Sequence, residues 1–279
     1  MSAALVLILA VWLGAWWINT RAVRAGGWMG RIFPPVFFGV TLIGLWELAV
    51  RLFEISPVLL PAPSAIAVRL VEARAILWED VTQTFFKGAL SGYAIGCGAA
   101  ILTGILVDRM PFLRRGLLPV GNFVSALPII GMAPIMVMWF GFDWESKAAI
   151  VVLMVFFPML VNTVQGLAAT DPMQRDLMNT YAASYLQGLV KMRLPAASPF
   201  LFNGLKICTT LALIGAIVAE FFGSPTRGMG FRISTEVGRL ALDMVWAEIA
   251  IAALVGSAFY GTLALAERAA TFWHPAQRS

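Results

Sequence analysis

Residues 171–199 read DPMQRDLMNTYAASYLQGLVKMRLPAASP, a stretch with polar and basic residues set between two of the most apolar runs of the chain. Asp171-Pro172 is a helix-start signal with the proline in the first turn, and good helix formers continue to Met192 until Pro195 predicts a stop. A second short helix is expected to begin after Asn179 or Thr180. The stretch therefore predicts a short helical element tied to a long apolar segment at each end, and a helix held in that way can transmit a push.

The flanking runs set the fold class. The chain is 60% hydrophobic and only 13% charged, with a mean hydropathy of +0.83, whereas a globular domain must cover its surface with polar groups. Several runs reach the roughly 18 to 20 apolar residues that cross a ~30 Å hydrocarbon layer as a helix. Short alternating strands of the barrel type are absent, and unpaired backbone is not tolerated in lipid. The expectation is an all-α polytopic membrane protein. The net charge of +5 fits loop topology rather than a nucleic-acid surface.

The N-terminal run MSAALVLILAVWLGAWWINTRAVR lacks basic residues before its apolar core and carries Arg21 and Arg24 after it, the reverse of a signal peptide. It reads as an extra first span over residues 1–31 with its basic linker, the N-terminus outside. Six further helices are expected at about 32–50, 84–107, 117–140, 148–166, 200–222 and 244–266, and residues 274–279 form a short tail. In SPVLLPAPSAIAVRLVEARAILWED (56–80), Ile66, Leu70, Val71 and Ile76 fall at helical spacing and suggest an amphipathic helix at the membrane surface. The turn DRMPFLRR (108–115) carries three arginines, FDWESK (142–147) is net negative, and the 167–199 loop carries Arg175, Lys191 and Arg193, so the positive-inside rule places 171–199 in the cytoplasm.

GALSGYAIG (88–96) spaces Gly88, Gly92 and Gly96 four apart on one helix face, for close packing within the chain or against another subunit. The expected span 117–140 contains Pro119, Pro128 and Pro134 with Gly121 and Gly131; its broken hydrogen-bond ladder needs protein or water around it, which makes Pro128, Met132 and Pro134 candidate pathway residues, a kinked packing helix being the alternative. Ionisable residues in the spans reduce to Glu47, Lys206, Glu220 and Glu248. Each needs a reason in a bilayer: snorkelling or pairing for Lys206, and a pathway or gate role for Glu220, which lies in GAIVAEFFG near the outer end of its span. Cys97 and Cys208 sit in apolar runs as small hydrophobes, and His274 has no second ligand at metal spacing, so neither a disulfide framework nor a metal site is expected. No GxxxxGK[ST] loop occurs, so the chain is not expected to hydrolyse ATP by itself, and HExxH, CxxC and GxSxG are missing too.

The 171–199 stretch resembles the cytoplasmic coupling motif of bacterial ABC-importer permeases: Glu-Ala-Ala, three residues, Gly, nine residues, an aliphatic residue, any residue, Leu-Pro. Counting back from Leu194-Pro195 puts the aliphatic position at Met192, the Gly position at Ala182 and the acidic position at Asp176, with Leu177-Met178 at the paired alanines. Gly188 comes six residues too late to serve as the motif's glycine. An alanine at that position implies a turn with φ below zero and a more continuous helix. The similarity extends over about residues 40–273 through LLPAPSAI, SALPIIGMAPIMVMWFG, ESKAAIVVLMVFFPMLVNTVQGL, LPAASPFLFNGLKI, and GAIVAEFFG followed by GMG. It points to the branch that handles nitrate, sulfonates, taurine and pyrimidine or vitamin-precursor compounds.

The resemblance implies a type I importer-like permease domain over 32–273 in the bacterial inner membrane. It also implies a homodimer in membrane lipid, two ATPase subunits that use ATP and magnesium, and an outer substrate-binding protein; the permease itself binds no cofactor. Asp176, Leu177, Met178, Tyr181, Ala182, Ala183, Tyr185, Leu189, Met192, Leu194 and Pro195 would then meet or support the ATPase. Two other classes are open on the residues alone. An ion-gradient-driven secondary transporter would share the broken helices but would show inverted halves. An intramembrane enzyme would need converging polar residues.

Overall fold

A computed structural model describes residues 2–24, 27–110, 112–113, 115–117, 128–223 and 227–273. Among these there is no β-strand, and the helices are α1 (Ser2–Arg24), α2 (Gly27–Leu52), α3 (Pro63–Glu72), α4 (Arg74–Arg109), α5 (Ile129–Phe140), α6 (Trp144–Ala168), α7 (Pro172–Thr180), α8 (Tyr185–Glu220), α9 (Met229–Gly238) and α10 (Leu242–Ala270). Six helices are long and apolar enough to cross a membrane: α1 over Ala4–Arg24, α2 over Gly30–Leu52, α4, α6, α8 and α10; α5 is shorter. The expected N-terminal span and the expected spans near 32–50, 84–107, 148–166, 200–222 and 244–266 thus each have a counterpart. Of the expected 117–140 span, only Ile129–Phe140 is a described helix, and Pro119 and Gly121 lie outside the described residues.

Three boundaries differ from expectation. The surface helix read over 56–80 is only α3, because Arg74 already begins α4. Sequence reasoning missed α9. Pro195 does not stop the helix it was expected to end: α8 runs through it from Tyr185 to Glu220. Leu189–Arg193 forms a π-helical turn that ends two residues before the proline. The wider turn makes room for a ring that would otherwise meet the carbonyl four residues earlier, and proline lacks only a donor that this turn does not need. A second π-helical stretch, Thr82–Ala89, lies in α4.

The chain divides into two compact units. In Met1–Leu77 with Ile233–Ala250, α1 packs on α2 through an edge contact of Trp12 with Phe38 at 6.0 Å. The Glu47 carboxyl accepts from Ser64 N at 3.0 Å, Ser64 Oγ at 2.8 Å and Arg51 Nε at 2.6 Å, tying the end of α2 to the first turn of α3. This gives a span carboxylate its reason. Trp46 meets Trp246 at 4.8 Å, and Arg69 pairs with Asp243 at 2.6 Å.

The second unit, Trp78–Arg232 with Ile251–Ser279, has its core where α4, α6 and α8 meet, around Ala89, Tyr93, Cys97, Ala100, Val151, Val155, Met159, Cys208, Ala212 and Ala216. Small residues permit that approach: a Cβ on Gly92 would sit 2.6 Å from the Ala148 carbonyl oxygen, and one on Gly96 would sit 3.0 Å from Val152 Cα. The glycine stripe is therefore an internal face against α6. Phe259 of α10 caps the core with ring contacts to Phe85 at 5.3 Å and Tyr93 at 4.9 Å. Lys206 pairs with Glu267 at 2.6 Å, both largely buried, the pairing expected for a span lysine. Asp143 caps α6, accepting from Gln83 Nε2 at 2.8 Å and Trp144 N at 2.9 Å; the Gln83 bond above all holds its carboxyl below the usual range.

Candidate functional site

The helix α7 begins where the sequence says it should: Asp171 caps it by accepting from Met173 N at 2.9 Å, with Pro172 in the first turn. It has no buried residue. Met173, Leu177 and Tyr181 are 78, 54 and 75% exposed, and Leu186 and Val190 beyond the turn are 67 and 59% exposed. An apolar face of that size on a polar helix lacks a reason within the chain.

At the end of α7 the chain reverses. Ala182 has φ +51°, in the left-handed region that favours glycine. The expectation of a negative φ and a continuous helix was wrong: Ala182 N donates to the Asn179 carbonyl at 2.9 Å, and Ala183 N to the Met178 carbonyl at 3.0 Å. These two bonds close the helix end and hold the alanine in a conformation costing about 1–2 kcal/mol for an L residue. The alanine at the motif's glycine position therefore adopts the glycine's conformation. Ser184 then opens α8 with a capping box: Ser184 Oγ accepts from Gln187 N at 3.3 Å, and Ser184 N donates to Gln187 Oε1 at 2.8 Å. The spacing Ser-x-x-Gln in SYLQ is the sequence signal that could have located this helix start.

The expected coupling residues separate by position. Asp176, Leu177, Tyr181 and Ala182 are exposed, Met178 and Ala183 half-buried. Leu177, Met178, Met192 and Pro195 line an open cavity of about 590 Å³ beside α7, together with Asp171, Lys191 and Trp273. Leu189 instead is buried against Leu167 and Ala197, with Tyr185 and Leu194 packed on the same cluster. Next to it, Arg193 forks onto Asp108 with two bonds of 2.6 Å, and Tyr185 Oη donates to Asp108 Oδ2 at 3.1 Å. Leu189, Tyr185 and Leu194 therefore anchor the segment rather than present a surface.

The candidate pathway residues lie toward the other end of the unit. Pro128 precedes α5 and Pro134 lies exposed within it, while Met132 packs against a small cluster of Ala133, Met136, Ile150 and Ala219. That cluster puts α5 beside the end of α8 next to Glu220. Glu220 is 2% exposed and accepts from Thr84 Oγ1 at 2.9 Å and from Gly230 N at 2.8 Å. Thr84 Oγ1 accepts from Met229 N at 2.7 Å, and Asp80 from Gly228 N at 2.6 Å and Arg232 Nε at 2.8 Å. Three successive N–H groups at the start of α9 are thus satisfied by side chains of α4 and α8, a cap supplied from other helices. Gly228, at φ +121°, leaves room for the Glu220 carboxyl to reach in, and Gly230 for the Ile217 carbonyl and Glu220 Cβ of α8.

A family model described as binding-protein-dependent transport system inner membrane component matches residues 92–271, well over half the chain. The chain belongs to this family. It is an ABC-importer permease, a multi-pass helical protein of the bacterial inner membrane. Among similar curated proteins, the formylaminopyrimidine transport permease protein ThiX of Halalkalibacterium halodurans is 31% identical over 251 residues, 88% of this chain and 98% of the relative. The putative aliphatic sulfonates transport permease protein SsuC of Bacillus subtilis is 29% identical over 264 residues, 91% and 93%. A probable ABC transporter permease protein of Haemophilus influenzae is 29% identical over 233 residues, 82% and 93%. The matched residues of the family model take in α7 and the turn at Ala182.

Proposed function

We propose that the chain forms, as a pair of identical copies, the membrane-spanning part of an ATP-driven importer. An outer binding protein delivers a small organic solute or anion, such as a sulfonate, taurine, nitrate, or a pyrimidine- or vitamin-precursor-like compound. Two partner ATPase subunits on the cytoplasmic side use ATP and magnesium. The observation that carries this reading is α7 itself: an exposed helix with an apolar face, ended by a glycine-type turn at Ala182, at the spacing of the permease coupling motif. Asp176, Leu177, Met178, Tyr181, Ala182 and Ala183 form the surface that enters a groove of the ATPase, as expected for an apolar interface centre with a polar rim. Met192, Leu194 and Pro195 support it, and Tyr185 and Leu189 fix it to the spanning helices. On this reading Glu220 acts in the outer gate by holding α9 rather than by touching solute. On this reading residues 1–31 form an additional span, supported by the length and apolar character of α1 over Ala4–Arg24.

Native mass spectrometry of the gently solubilised protein from its own membrane tests the assembly, with two copies plus two nucleotide-binding subunits expected. Tyr181→Asp, on the exposed face, is expected to release the ATPase subunits while the permease pair stays intact. A stable assembly without an ATPase partner, or full retention of the ATPase by Tyr181→Asp, would overturn the reading.

A further inference from the structure

Force applied to α7 has to reach a spanning helix other than the two to which the segment is covalently joined. The Asp108 carboxyl of α4 receives both Arg193 bonds and the Tyr185 hydroxyl. The Asp108 and Arg193 side chains are only 12 and 17% exposed. Arg193 also donates to the Leu167 carbonyl at 3.3 Å, so one guanidinium joins the ends of α4, α6 and α8. The Arg109 guanidinium lies 5.4 Å over the Tyr185 ring.

Two features say that this cluster is more than local stabilisation. Asp108 sits in the last turn of α4, where the helix dipole disfavours a carboxylate, so the position is poor for helix stability and needs its cations. A buried ion pair is also no more stabilising in general than apolar packing of the same volume, whereas a bidentate fork fixes geometry. The π-helical turn Leu189–Arg193 ends at the arginine itself. An inserted residue rotates the remainder of a helix by about 100° relative to a regular one, which gives the turn a purpose in aiming Arg193.

We propose that Asp108, Arg193 and Tyr185 form a latch that makes α4 move with the coupling segment, so that Asp108 and Arg193 are positioning residues for coupling. The proposal rests on the importer reading above. Its content is that ATPase docking and ATP hydrolysis survive loss of the latch, while movement of α4 does not.

The experiment uses the full complex in nanodiscs with a nitroxide on Ile95→Cys, an exposed position of α4; the native Cys97 and Cys208 are buried and out of the label's reach. Distances between the two copies are measured by pulsed electron resonance without nucleotide and with ATP, magnesium and vanadate. In the parent complex the distance shifts on trapping. In Arg193→Gln and Asp108→Asn the population at the trapped distance is expected to fall about fivefold or more relative to the untrapped one, the scale of an ordinary coupling energy, with ATPase co-purification and basal hydrolysis retained. The exchange Asp108→Arg with Arg193→Asp is expected to restore it. The apolar pair Asp108→Leu with Arg193→Met guards against misfolding: it should assemble and remain uncoupled. A parent-sized shift in the assembled single variants or in the apolar pair overturns the latch alone. Failure of every variant to assemble makes the cluster a folding element and overturns it too. A parent protein that carries no ATPase, or shows no shift, overturns the importer reading and the latch together.

Discussion

Gly230→Ala perturbs the cap of α9 with a single methyl group. A Cβ there would overlap the Ile217 carbonyl oxygen and lie 2.9 Å from both the Ile217 carbonyl carbon and Glu220 Cβ. Carbon and oxygen sit no closer than about 3.3 Å in favourable contacts, so the start of α9 must retreat by about 1 Å. The carbonyl itself cannot yield, because it belongs to the backbone of α8. A retreat of that size stretches the bonds of Gly230 N to Glu220 (2.8 Å), Met229 N to Thr84 (2.7 Å) and Gly228 N to Asp80 (2.6 Å) beyond useful length. Each lost bond that leaves a buried partner unsatisfied costs about 1–3 kcal/mol, so two or three together cost about 2–9 kcal/mol. At about 2–4 °C per kcal/mol for a chain of this size, the thermal midpoint should fall by roughly 4–36 °C. The assay is size-exclusion chromatography of the detergent-solubilised complex after graded heating. Gly98→Ala is the control: nothing lies within 4 Å of that added methyl in the middle of a helix, and it should be neutral or stabilising by up to about 1 kcal/mol. A Gly230→Ala midpoint within a degree or two of the parent would refute the claim that side chains of α4 and α8 cap α9.

Ala182→Gly should preserve ATPase co-purification and leave the midpoint unchanged or slightly higher, since relief of about 1–2 kcal/mol of left-handed strain is partly offset by glycine's greater unfolded freedom; Ala182→Val, β-branched at positive φ, should weaken co-purification in the same pull-down. Lys206→Met strands Glu267 and should cost about 3–5 kcal/mol, whereas Lys206→Met with Glu267→Leu should recover most of the loss, as read from thermal midpoints. Gly96→Leu drives a side chain into α6 and should abolish recovery of a monodisperse protein; normal recovery would mean that α4 and α6 do not touch along the glycine stripe.

The long apolar runs were legible because a bilayer demands one simple thing of a helix, and the glycine stripe was legible because its spacing is geometric. The Leu-Pro spacing picked out the segment that is proposed to meet the ATPase. What sequence could not give was conformation that depends on partners. Alanine at 182 suggested φ below zero by propensity, yet helix-ending bonds from Ala182 and Ala183 override that preference. Pro195 promised a stop by local rules, but a π-helical turn absorbs it. The α9 helix was invisible because, among the described residues, the bonds to its first N–H groups come from Asp80, Thr84 and Glu220, well over a hundred residues away in two cases. Arg193 read only as a loop charge that sets topology, and its pairing with Asp108 was invisible until the fold brought guanidinium and carboxylate together.

The borrowed cap also constrains how the protein can be made. A helix of ten residues is shorter than the roughly 12–15 that persist alone in water, and the first N–H groups of α9 are bonded by side chains of α4 and α8. The bonds to its first three N–H groups therefore cannot form until α4 and α8 have both been inserted and brought side by side. Ordering of α9 belongs to the end of biogenesis, after the last of those two spans has left the insertion machinery. A protease that cuts within 229–238 on nascent chains but not on mature protein would report the moment at which the bundle closes.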